Sequence, residues 1–444
     1  MQALQFFRDL VAAQKKGIPR GIASVCSANP FVLEAALLQA EEDGLPVLVE
    51  STVNQVNQFG GYTGMRPADF RLLVESAAAS VGAAKDRIIF GGDHLGPYPW
   101  RLEPAAAAMS MAGDLVAACV RAGYEKVHLD ASMPLGGDPT GNGGVLDPRT
   151  AAEREAVLAA SAESAFEELR KDHPDASPPV YVIGTEVPPP GGIRSSEEPV
   201  PVTRTEDFLE TVNLCGDAFR RRGLEEAWSR VCAVVAQPGI EYGDREIHEY
   251  EPRKAAALCR AARESTDKVI EGHSTDYQKP GALRRLVEDG VAILKVGPGL
   301  TFALRECLFC LESIERELLA ARPGATPSRL AETLERAMRD DPSHWEGYYA
   351  GSEAEKSLAR KYSFSDRSRY YWSAPLVHGS VQRLLANLAG ALIPLGLLSQ
   401  FLPVHYRSVR EGRMTGEPVA LLRESVRLVL SDYSDASTGR EAGR

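Results

Sequence analysis

The chain has 444 residues, with 61 Asp+Glu against 50 Lys+Arg for a formal charge of −11, and 44% hydrophobic with 25% charged residues is ordinary globular composition. An acidic chain with no basic block is a poor binder of nucleic acid or of anionic membrane. No run approaches the ~18 consecutive apolar residues of a membrane helix, the amphipathic N-terminus lacks a signal peptide's apolar core and cleavage site, and seven scattered cysteines suit reduced cytoplasmic thiols better than a disulfide framework.

In chain order, Val/Ile-rich runs at 22–29, 47–52, 87–94, 126–132, 180–187, 230–239, 268–277 and 292–300 each end in small or polar residues. Apolar runs of this length read as strands buried on both faces, hence a parallel sheet. Helical stretches separate them, at 30–43, 66–83, 104–123, 150–171, 206–226, 252–264 and 279–289. Eight alternating units predict an α/β fold, a (β/α)8 TIM barrel over 1–322, rather than a doubly wound open sheet. Ionisable residues end nearly every run, as expected where a site forms at the C-terminal face of the strands. Two long Gly/Pro-rich connections, 133–149 and 188–205, read as binding loops or lids. Residues 301–321 form an amphipathic helix and 323–328 read as a linker. The rest, 323–444, is a mostly helical region packed on the barrel, with aromatics at Trp345, Tyr348, Tyr349, Tyr362, Tyr370, Tyr371 and Trp372. The small, polar end at 433–444 is expected to fray.

The chemistry-bearing residues gather at the strand ends. Asp93-His94 ends the third run between glycines, and the two adjacent side chains are expected to face different directions, so that His94 holds a metal while Asp93 acts as base. His273 ends the seventh run and Glu186 the fifth. A structural histidine explains either His alone; two His and one Glu at one rim point to a divalent metal with open coordination positions, Zn, Mn, Co or Ni. His128 and Asp130 share a face of the fourth strand, and Asp130 either orients a metal-bound His, binds substrate or forms an internal salt bridge. Lys295 lies inside an apolar strand and either neutralises carboxylates or forms a Schiff base. Gln237, Asp276, Ser51 and Asn54 are the remaining candidates for substrate contact. There is no GxxxxGK[ST] loop to support a kinase, and GNGG at 141–144 lies in a loop, which argues against a dinucleotide site.

The runs SVCSANPFVLEAAL, STVNQVNQFGGYTGMRPADF, GGDHLGP, KVHLDASM, IGTEVPPPGG, QPGIEY, HSTDYQ, LKVGPGLTFALRE, YSFSDRSRYYW and IPLGLLSQFLP resemble the GatZ/KbaZ family, described as non-catalytic large subunits of tagatose-bisphosphate aldolase. The resemblance spans about residues 20–405. That family is similar to class II metal-dependent aldolases, which are TIM barrels. The resemblance implies Asp93 as proton-transfer residue, His94 and His273 as metal ligands, and Glu186 near the third ligand position, with Asp130 in reserve. His273 is followed by Ser274-Thr275-Asp276, where those aldolases carry a phosphate-binding Gly-Ala/Ser, and an acidic side chain there disfavours a phosphate. Together with members that interconvert D-fructose and D-tagatose, this leads to the expectation of a ketohexose 4-epimerase working by retro-aldol cleavage, with Asp93, Glu186 and Asp130 as catalytic residues. The alternative is a non-catalytic subunit that stabilises a small aldolase subunit. A sugar substrate and either a homo-oligomer or that small subunit are the expected partners.

Overall fold

The structure is a computed structural model that describes residues 3–139, 146–185, 200–320, 324–390 and 392–439. Eight parallel strands close a barrel: β1 (Ile22–Cys26), β2 (Val47–Thr52), β3 (Ile88–Leu95), β4 (Lys126–Leu129), β5 (Val180–Ile183), β6 (Val231–Val235), β7 (Val269–Gly272) and β8 (Val291–Val296). Six lie wholly within the apolar runs, while β3 extends one residue past its run, to Leu95, and β8 begins one residue before its run, at Val291; β8 pairs with β1 to complete the ring. The helices alternate with them as expected: α1 (Ala3–Lys15) precedes β1, α2 (Pro30–Asp43) follows it, and α3 (Pro67–Val81) and α4 (Ala105–Arg121) flank β3. Local chemistry sets their ends. Asn29 caps α2 through its side-chain oxygen, Pro30 supplies a pre-set φ at the first helical position, and Gly44 ends the helix in the left-handed region. A small antiparallel pair, Glu241–Tyr242 with Ile247–His248, follows β6 and had no counterpart among the predicted runs.

The barrel interior is layered. At the N-terminal end of the strands, Ile22, Leu48, Ile89, Val182 and Ile293 pack together, and Phe6, Phe7 and Leu10 of α1 plug that end. Nearer the C-terminal ends the interior becomes ionic, with Glu50, Lys126, His128 and Glu271 all fully buried. The layer is tight: a Cβ on Gly91 would lie 2.8 Å from the Glu50 side chain, and one on Gly96 would lie 1.6 Å from the Asp130 carbonyl oxygen. Only glycine fits at these two places.

The last helix, Pro418–Thr438, packs against α2, against β1 and against the helices Pro280–Asp289 and Pro298–Leu319. The Tyr433 hydroxyl donates to the Thr275 carbonyl at 2.8 Å, and the Gly21 N–H donates to the Ser437 carbonyl at 3.0 Å. The expected fraying of 433–444 is corrected for 433–438, where the helix continues because Tyr433, Ala436 and Ser437 are buried against the barrel; residues 440–444 lie outside the described residues. The expected linker at 323–328 also ends tied down, since Ser328 is buried and donates from N and Oγ to the Glu315 carboxylate. Of the two expected lid loops, residues 140–145 and 186–199 lie outside the described residues.

One buried acid makes stability depend on pH. Glu155, on the helix Pro148–Asp172, is fully buried, accepts from the Gly184 N–H at 3.1 Å and receives the Cys215 thiol at 3.2 Å. Burial pushes its pKa up to about 8, outweighing those hydrogen bonds. A raised carboxyl pKa means that the folded state keeps a proton the unfolded state releases, so stability falls as pH rises from the ordinary carboxylate range to about 8 and then levels off. The slope within that window is bounded by about 1.4 kcal/mol per pH unit. Glu155→Gln should flatten it, and thermal melts at pH 5, 6.5 and 8.5 test this; an unchanged difference between wild type and variant across that range would refute it.

Candidate functional site

The site lies at the C-terminal end of the barrel, as the strand ends predicted. Asp93 and His94 come from β3, His128 from β4 and Glu271 from β7, while His273 follows β7. Asp93 Oδ1 lies 2.9 Å from His128 Nδ1, and Glu271 Oε1 lies 3.1 Å from His273 Nε2. The three imidazoles face one another with ring centroids 4.9–5.2 Å apart. One ligand atom from each of Asp93, His128, Glu271 and His273 falls within 4.8 Å of all the others. Two imidazoles and two carboxylates form a mixed N/O donor set of the kind that Zn, Mn, Co and Ni share.

The expectation that Asp93 and His94 face different directions is corrected. His94 has φ = +50°, so the backbone departs from strand alternation, and its Nε2 comes within 3.8 Å of Asp93 Oδ2. A left-handed histidine is costly and persists only where the surroundings impose it. Here they do: Asp130 Oδ2 takes the His94 Nδ1 at 2.7 Å, while Asp130 Oδ1 accepts from the Ser132 N–H and hydroxyl. A carboxylate on one ring nitrogen is common for metal-ligating histidines, but His94, nominated as a ligand from the sequence, is not among the four residues whose donor atoms lie within 4.8 Å of one another, where His128 and Glu271 stand instead.

Two lysines balance the carboxylates. Lys126 Nζ lies 2.6 Å from both Glu50 and Glu271. Lys295 Nζ contacts Glu50, lies 2.7 Å from Asp93 and 3.6 Å from Glu271. Burial opposes the Lys295 charge, but Asp93 and the other acidic groups around it win, and its pKa stands well above the ordinary value. It stays an ammonium ion, which favours neutralisation over the Schiff-base reading. Burial likewise opposes ionisation of Asp93, yet His94 and Lys295 hold its pKa well below the usual carboxylate range. An aspartate held so firmly ionised is a weak proton acceptor. Burial lowers the His273 pKa to about 4, leaving a neutral imidazole with a lone pair to offer.

The other candidates divide. Asp276 lines the cavity over this cluster, and its Oδ1 accepts from the Gly297 and Gly299 N–H groups at 3.0 and 2.7 Å; burial raises its pKa to about 6 despite these bonds. Asn54 also lines that cavity. Ser51 and Gln237 do not join the group. The Ser51 hydroxyl is paired with Tyr124 at 2.8 Å, and Gln237 Oε1 accepts from the Gly239 and Ile240 N–H groups, closing its own turn. Glu186 lies outside the described residues.

Several site residues were missed in the sequence. Glu50 and Glu271 were passed over as parts of apolar runs, and Lys126 as a strand start. Arg369 and Tyr370 come from the C-terminal region and line the same cavity, of about 80 Å³. Their segment is fastened to the barrel by the Tyr277 hydroxyl on the Phe364 carbonyl at 2.6 Å and by the Thr301 hydroxyl on Asp366.

The sequence profile of the "D-tagatose-1,6-bisphosphate aldolase subunit GatZ/KbaZ-like" family matches residues 7–438. A protein of Salmonella paratyphi B named D-tagatose-1,6-bisphosphate aldolase subunit GatZ is 47% identical over 96% of this chain and 98% of its own. One of Klebsiella pneumoniae with the same name is also 47% identical, over the same shares. A crystal structure described as a probable tagatose 6 phosphate kinase from Sinorhizobium meliloti superposes with a TM-score of 0.85 at 44% identity, covering 94% of this chain and all of that one. These matches correct the expectation of a ketohexose 4-epimerase: curated relatives aligned over nearly the full length of both chains are named aldolase subunits.

Proposed function

The chain belongs to the GatZ/KbaZ-like family of D-tagatose-1,6-bisphosphate aldolase subunits, and from that premise we propose that it is the large subunit of such an aldolase, pairing with a small class II aldolase subunit and stabilising it. The observation that carries this reading is the 47% identity, over 96% of this chain, to proteins named as that subunit. A cytoplasmic setting fits, and no helix among the described residues is long and apolar enough to cross a membrane.

The Asp93, His128, Glu271 and His273 donors suit a divalent cation, with His94 oriented by Asp130 beside them. When bound, such a cation supplies Lewis-acid polarisation of a carbonyl oxygen. The chain's own residues set its terms. Lys295 shares Asp93 and Glu271 with any such ion, which leaves the centre fewer net negative charges than its carboxylates alone would give. Asp93 and Asp276, at the cavity wall, offer acceptors to hydroxyl groups.

Co-expression with a small class II aldolase subunit tests the proposal. The two chains should co-elute, and cleavage of D-tagatose 1,6-bisphosphate should survive longer at 37 °C than with the small subunit alone. Absence of a complex, together with an unchanged half-life, would overturn it.

A further inference from the structure

Two groups of metal-type donors meet at the barrel mouth, and they share Asp93. One is Asp93, His128, Glu271 and His273; the other is Cys26, Glu50 and Asp93, whose ligand atoms also lie within 4.8 Å of one another. Cys26 Sγ stands 3.8 Å from Asp93 Oδ2 and 3.9 Å from Glu50 Oε2. Cys26 is only partly buried. It lines both the cavity over the cluster and a larger one of about 480 Å³ beside it, so an ion from solvent has a way in.

The second group already holds a cation, and the chain itself supplies it. Lys295 pairs in register with Ser24, two residues before Cys26, so the barrel brings its side chain to the face that Cys26 shares. Its Nζ contacts Glu50 and lies 2.7 Å from Asp93, two of the three donors. An ammonium carries one positive charge. A divalent ion together with the Cys26 thiolate carries the same, because coordination drives the thiol proton off to water. The two arrangements match in net charge, and they exclude each other because both need Glu50 and Asp93. The ammonium has the advantage of its tether, which fixes its local concentration whatever the metal content of the solution.

We propose that Lys295 is the second cation of this centre: its ammonium fills the Cys26–Glu50–Asp93 position, holds the centre to a single divalent ion and keeps the thiolate out of the ligand set. The consequence is metal selectivity. With Cys26 excluded, the donors are imidazole and carboxylate, which Mn, Co, Ni and Zn all accept, whereas a thiolate draws softer, thiophilic ions. Lys295 therefore determines which metal the centre takes without being a ligand. This inference rests on the divalent-cation reading of the first group. It is independent of the aldolase-subunit reading, whose failure the co-expression experiment shows separately.

The test uses the full-length chain, stripped with chelator and equilibrated with Co²⁺. Bound metal is counted per chain by mass spectrometry, and the near-ultraviolet absorption of thiolate-bound Co²⁺ is followed in the same samples. Wild type should hold about one ion per chain and show no thiolate band. Lys295→Met, which keeps an unbranched stem without the charge, should hold about two and show the band. Adding Cys26→Ser to Lys295→Met should abolish the band, which locates the thiolate at Cys26. Lys295→Arg, which keeps the positive charge, should behave as wild type. Should Lys295→Met disturb folding, the wild-type count and spectrum still decide. A wild type that holds two ions or none, or that shows the thiolate band, overturns the proposal. So does a folded Lys295→Met that holds one ion and shows no band.

Discussion

A chain ending at Gly416 will not form a folded barrel. The helix it lacks buries Leu421, Leu422, Val426, Leu430 and Tyr433, each 4% exposed or less, against α2, β1 and two barrel helices. Burying a large apolar side chain is worth roughly 1.5–3 kcal/mol, so the helix contributes on the order of 10 kcal/mol, comparable to the whole 5–15 kcal/mol by which domains are stable. The loss also takes the Tyr433 hydroxyl from the Thr275 carbonyl, next to the loop that positions His273. The truncated chain should show a non-cooperative melt by circular dichroism and elute as aggregate. A soluble, cooperatively melting product would show that the barrel closes without its last helix.

This dependence explains which parts of the molecule were legible in the sequence. The eight strands were readable because a strand buried on both faces must be apolar along its length, and that pattern is local. Asp93, His94 and His273 were readable because they end such strands. The pairing of Asp130 with a histidine was one of the readings left open, and alternation on β4 placed it beside His128; the two side chains turn to His94 and Asp93 respectively. Glu50, Glu271 and Lys126 were not legible, because their meaning lies in partners brought together by barrel closure. Lys295 and Glu50, for example, stand 245 residues apart in the chain. The convergence of Asp93 and His94 was missed because adjacent strand residues ordinarily diverge, and only the left-handed His94 brings them together. Arg369, Tyr370 and Trp372 stood in a visible motif, but an aromatic, arginine-rich stretch reads as packing until the fold lays it over the barrel mouth. The sequence likewise suggested an epimerase from the acidic residue after His273, yet Asp276 is engaged with two backbone N–H groups, so its presence there is in part structural.

Lys126→Met should be the most damaging single substitution in the ionic layer, and one that a metal partly repairs. Lys126, Glu50 and Glu271 are all fully buried, so removing the ammonium leaves two carboxylates out of water with a reduced counter-charge. Breaking a buried pair in this way costs about 3–5 kcal/mol, far more than a surface pair would. Methionine keeps the volume and the flexibility of the stem, so the loss reports charge rather than a cavity. Glu271 and Asp93 also belong to the donor set that suits a divalent cation, so an ion there would restore part of the missing positive charge. A ligand that binds only the folded state stabilises it by RT ln(1 + [L]/Kd). Added Zn²⁺, Mn²⁺, Co²⁺ or Ni²⁺ should therefore raise the melting temperature of Lys126→Met more than that of wild type, and chelator should reverse the gain. In Lys126→Met/His273→Ala, which lacks one imidazole of the set, the gain should disappear. Equal metal shifts in all three proteins would mean that the ion binds elsewhere, and that the carboxylates and imidazoles of the barrel mouth are held by the lysines alone.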